Sequence, residues 1–168
     1  MNTGDVSGYP IPPRDPALDR LEAFVGTWAT EGEVRATASR PARTFRAADV
    51  YEWLPGRFFL VHRWDAQMPD GSVQGIEIIG YDPASATYSV HPYDSWGSAT
   101  VMRAIADDRT WTFISDQVRF RGQFSADGKV FSGLWERREE AGGEWVPWMD
   151  VRLQRMTEGV EPSSAPRA

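Results

Sequence analysis

A chain of 168 residues, 41% of them apolar and eight of them tryptophan, is long enough for one domain with a sizeable core. Its net charge of −6 and isoelectric point near 4.9 oppose a phosphate backbone, which excludes nucleic acid as an expected partner. With no cysteine there are no disulfides, thiolate nucleophiles or cysteine-held metals; with no long apolar run and no secretory signal core, no membrane is expected and the location predicted is cytoplasmic.

Residues 1–15, with "YPIPPRDP", read as a flexible N-terminal segment of turn and polyproline character. Asp15 is placed to cap a helix that Pro16 opens. In "ALDRLEAFVG", Leu18, Leu21 and Phe24 or Val25 recur at three- and four-residue spacing, which predicts one short helix ended by Gly26. Ten strands follow, over 27–34, 43–53, 58–66, 73–82, 87–93, 98–106, 110–115, 117–125, 129–138 and 145–155. Turn-forming stretches such as "LPG", "PDG", "DPAS", "ADD", "ADG" and "AGG" separate them. Strands joined by tight hairpins make a meander, and closing a sheet of that size removes its sticky edges. The expectation is an all-β fold: a closed antiparallel barrel over 16–156, a helix capping one end, and a disordered tail over 157–168.

Alternation along each strand assigns the faces. Val118, Phe120, Gly122 and Phe124 share one side of their strand, opposite Arg119, Arg121 and Gln123. On the last strand Trp145, Pro147, Met149, Val151 and Leu153 oppose Asp150, Arg152 and Gln154. In "FFLVHRWD", Phe58, Leu60, His62 and Trp64 share a face, and the fixed charges Arg63 and Asp65 fall on the other. His62 therefore points inward, where burial demands a polar partner. Glu77 is the first candidate, although Ile76 and Ile78 compete with it for the inside; Asp49 and Tyr51 are further candidates.

The opening "FVGTWATEGEV", with Gly26, Trp28, Glu31 and Gly32, resembles the first strand of the nitrobindin and lipocalin-like calycin group. "YEWLPGRFFLVHRWD", "GIEIIGYDPASATYSVHPYDSWG" and "FRGQFSADGKVFSGLWE" resemble bacterial lipocalin-like domains of unassigned function, over about residues 18–155. The resemblance implies a closed barrel with a short helix plugging one end. Nitrobindins hold haem through a histidine on the last strand. Here that strand offers Asp150 or Met149 according to register, and no imidazole, so haem is disfavoured and no cofactor is expected.

Functionally, the sequence predicts a barrel that binds a small, mostly apolar or amphipathic molecule, with Trp28, Tyr51, His62, Glu77, His91 and Met149 as ligand-binding residues. The alternative is a cofactor-free isomerase, cyclase or dehydratase in which His62 and Glu77 form an acid–base pair. Catalytic residues are otherwise unassigned. No spacing supports a metal site. In "SVHPYDSWGS", His91, Tyr93 and Asp94 read either as a polar rim at the barrel mouth or as a turn that Asp94 and Ser95 tie to the backbone while Trp96 covers the barrel end. A homodimer through exposed aromatics such as Trp148 or Trp135 is a further possibility.

Overall fold

Alternating apolar and polar residues between tight turns produce ten strands in the computed structural model, which describes residues 10–157. In chain order these are β1 (Gly26–Val34), β2 (Arg43–Trp53), β3 (Phe59–Met68), β4 (Gly71–Asp82), β5 (Thr87–Asp94), β6 (Met102–Asp107), β7 (Thr110–Ile114), β8 (Val118–Phe124), β9 (Val130–Arg137) and β10 (Val146–Arg155). Each pairs antiparallel with its chain neighbours, and β1 closes on β10 through a register that sets Trp28 against Arg155 and Val34 against Met149. The result is a closed barrel in meander order. No helix among the described residues is long and apolar enough to cross a membrane.

The predicted helix exists, but as a 3-10 helix over Pro16–Ala23. Its hydrogen bonds run from Leu18 to Asp15 and from Phe24 to Leu21. With three residues per turn, Leu18, Leu21 and Phe24 fall in line, so all three enter the core at 3%, 0% and 1% exposure. Asp15 caps the helix by accepting from the Ala17 amide at 2.8 Å.

This helix plugs the end of the barrel where β1 begins. There the inward side chains Trp28, Tyr51, Leu60, Ile79, Tyr88, Val90, Ala104, Trp111, Phe124 and Phe131 pack into one buried aromatic cluster around Phe24. Phe24 alone meets five rings at centroid distances from 4.9 to 6.3 Å. Toward the other end the inward positions change character. Ala47, His62, Trp64, Glu77, Pro92, Val118, Trp135 and Val151 face the interior but are only half-buried. The packed half around the plug is fully buried, whereas the other, open half mixes buried side chains (Phe45, Ala66, Val73 and Met149) with inward ones that keep part of their surface exposed.

Two glycines shape the walls of the open half. A Cβ on Gly75 would lie 2.0 Å from the Trp64 ring, and one on Gly32 would lie 2.3 Å from Phe45. Each aromatic ring therefore lies flat on bare backbone of the neighbouring strand, and only glycine permits so close an approach.

Several expectations need correction. Trp135 is not an exterior aromatic: it faces inward and packs on Phe120 at 5.1 Å. Trp148 is half-buried under the Arg137 guanidinium at 5.7 Å. Trp96 does not cover the barrel end but stands 58% exposed. The expected alternation of β10 is interrupted between Pro147 and Met149 by an irregularity in register with β9. The expected flexible segment and tail lie outside the described residues for 1–9 and 158–168. Within 10–15, Arg14 donates to the Arg57 carbonyl at 2.7 Å and stands over the Trp53 ring.

Candidate functional site

Register assembles the site. β2, β3, β4 and β5 place Tyr51 opposite His62, His62 opposite Glu77, and Glu77 opposite Pro92 in one cross-strand row. Alternation turns all four inward, and Asp49 lies on the same face of β2, two residues from Tyr51. The row lies at the boundary between the packed half and the open half. The side chains of His62, Glu77 and Asp49 keep 13%, 14% and 9% of their surface exposed, although they point into the barrel.

His62 is held on both sides. Its Nε2–H donates to Asp49 Oδ1 at 2.8 Å, and its Nδ1–H lies 3.4 Å from Glu77 Oε1. Thr30, on β1, donates to the other Asp49 oxygen. The Tyr51 ring stacks on the imidazole, with centroids 3.9 Å apart and planes within 5°. Trp64 flanks it at 5.2 Å. Burial works against the charged ring, but the hydrogen bonds to Asp49 and then Glu77, with their charges, outweigh it and raise the imidazole pKa to about 9. Burial, and then the same two carboxylates, push the Tyr51 phenol well above its ordinary value, so it stays protonated.

Of the predicted residues, the structure brings Tyr51, His62 and Glu77 into direct contact. Met149 is buried on the inner face toward the open end. Trp28 is inward too but belongs to the packed half: its indole N–H donates to the Phe24 carbonyl at 2.7 Å, and Arg155 covers its ring at 4.1 Å. His91 is not part of the site. It lies opposite Ile78, on the face of β5 away from buried Tyr88 and Val90. Asp94 and Ser95 form a turn as expected, with Asp94 accepting from the Trp96 and Ser98 amides and Ser95 bonding the Gln74 backbone.

The closest carboxylate to His62 is Asp49 rather than Glu77, and Thr30 completes the group. Thr30 was not among the predicted site residues; its inward parity on β1 brings it to Asp49. The carboxylates approach the ring from opposite edges, and among the described residues no three His, Asp or Glu side chains are placed to hold a metal ion. Nor do the residues fit histidine-ligated haem. Both His62 nitrogens are taken, His91 faces outward, and Asp150 of the last strand is turned outward to Arg35 at 2.6 and 2.8 Å. Two surface concavities, one on the outer wall over β1, β8, β9 and β10 and one beside β6 and β7, are lined by none of these residues but Asp150.

Comparison with known proteins agrees on the fold. The sequence model of a family described as "Protein of unknown function (DUF1579)" matches residues 16–132. No match was found among curated proteins. Among solved structures, Rv2717c from M. tuberculosis is similar with a TM-score of 0.61 at 14% identity, over 86% of this chain and 100% of that one. The S-type phycobiliprotein lyase CPES from Guillardia theta is similar with a TM-score of 0.51 at 10% identity, over 83% of this chain and 92% of that one.

Proposed function

The chain belongs to the DUF1579 family of proteins of unknown function, and from the geometry of its barrel we propose that it binds a small, mostly apolar molecule in the open half, with the ligand's polar end on the His62 row. The observation that carries this reading is the position of that row. A stacked Tyr51–His62 pair between two carboxylates is a costly group to place inside a barrel. It sits where the packed half ends and retains access to solvent space. Trp64, Trp135, Pro92 and Val118 supply apolar walls above it, the usual lining of a small-molecule site. A phycobiliprotein lyase built on a similar barrel is consistent with a recognition role for this architecture.

Binding is favoured over catalysis by the state of the ring. A general acid or base works best with a pKa near the working pH. His62, raised to about 9, is protonated near neutrality and so is poorly matched to act as a general base there.

The test uses N-phenyl-1-naphthylamine, a neutral apolar dye that brightens in dry surroundings and accepts energy from tryptophan. Saturable brightening with tryptophan-sensitised emission is expected, weakened several-fold by His62→Gln. No saturable signal, or one indifferent to His62→Gln, would overturn the proposal.

A further inference from the structure

We infer that the site selects ligands whose polar end is a cationic or proton-donating nitrogen, such as a primary ammonium, over ligands ending in a carboxylate; this rests on the binding role proposed above. The inference follows from which polar atoms remain unpaired at the His62 row. Asp49 is saturated, one oxygen taken by His62 and the other by Thr30. The imidazole has a carboxylate on each nitrogen. Two polar groups are left over. Glu77 meets His62 through Oε1 only, and among the described residues Oε2 has no hydrogen-bond partner. Tyr51 is 8% exposed, yet its hydroxyl has no hydrogen-bond partner among the described residues either.

Neither atom is sealed from solvent, and a carboxylate oxygen and a hydroxyl oxygen left unpaired at the His62 row can each take a partner that donates. Charge points the same way. One imidazolium between two carboxylates leaves a net negative cluster, in surroundings where solvent screens little. A carboxylate guest would face Glu77 directly and find only the tyrosine hydroxyl to donate to it. An ammonium can donate to Glu77 Oε2 and Tyr51 Oη together. The ring of Trp64, 5.2 Å from the imidazole, supplies an aromatic wall beside the cluster, which a cation tolerates better than an anion does.

Displacement of N-phenyl-1-naphthylamine by decylamine, decanol and decanoate at neutral pH tests the inference, because the three share one tail. Decylamine is expected to displace the dye at roughly tenfold lower concentration than decanoate, with decanol between. In Glu77→Gln, which keeps the side-chain shape but not the charge, decylamine should fall to the level of decanol. Decanoate equal to or better than decylamine in the unsubstituted protein overturns the inference. So does an amine preference unchanged in Glu77→Gln, or a bound dye that none of the three displaces. In each of these cases the binding reading itself stands. Failure of the dye to bind removes both together.

Discussion

His62 ties stability to pH, and the direction follows from its surroundings. An imidazole has an ordinary pKa near 6.5; here the two carboxylates raise it to about 9 against the effect of burial. Below pH 6.5 the ring is charged in the folded and the unfolded chain alike, and its contribution to stability is fully present. Between 6.5 and about 9 the unfolded chain gives up the proton first, so stability declines. Above that range the contribution is gone. The full loss amounts to roughly 3 kcal/mol. Urea unfolding at a series of pH values should show this decline, and His62→Gln should flatten it. Because the chain has only two histidines, the imidazole resonances can be assigned directly. A His62 signal that titrates near 6.5 would remove the basis for the decline.

Among the elements, the 3-10 plug depends on one residue at the far end of the chain. Arg155 of β10 donates to the Val25 carbonyl and, at 2.7 Å, to the Ala23 carbonyl, satisfying the last helical oxygen and one just beyond it, while its guanidinium covers Trp28. Arg155→Met keeps the apolar stem and removes the donors. It should cost about 2 kcal/mol or more, with amide exchange rising in residues 16–25 before it rises in the strands. Equal exchange throughout would mean that the plug is held by its leucines alone. The ten strands were legible because turn chemistry and alternation agree at nearly every hairpin. The plug was legible as a helix but not as 3-10, because Leu18, Leu21 and Phe24 satisfy either spacing until the hydrogen bonds are seen. The inward face of β4 was ambiguous for a physical reason. Ile76 and Ile78 form part of an apolar outer surface with buried Val61, so both faces carry apolar residues. His91 was drawn into the site by its chemistry, although the parity of β5 places it outside. Asp49 as the nearer partner of His62 depends on a diagonal between strands, which alternation alone does not rank against the directly opposed Glu77.

For the molecule as a whole, the division into a packed half and an open half makes a prediction that no single contact makes. The same substitution should do opposite things at the two ends. Ala104 is fully buried, between Tyr88 and Phe113 in the strand pairing. A phenylalanine there has no free volume to enter, and overpacking of this kind costs roughly 3 kcal/mol or more. Ala47 faces inward from β2 but is only half-buried, with Thr30 and Ala66 opposite it. A phenylalanine there can extend into the open half, cover the His62 row and bury apolar surface of its own. Ala47→Phe should leave the thermal midpoint within a few degrees of the unsubstituted protein and abolish dye binding, whereas Ala104→Phe should lower the midpoint steeply. If both destabilise alike, the interior is filled from end to end and the barrel has no room for a guest. If Ala47→Phe is tolerated and the dye still binds, the guest sits elsewhere, and the concavity on the outer wall over β8, β9 and β10 becomes the place to look.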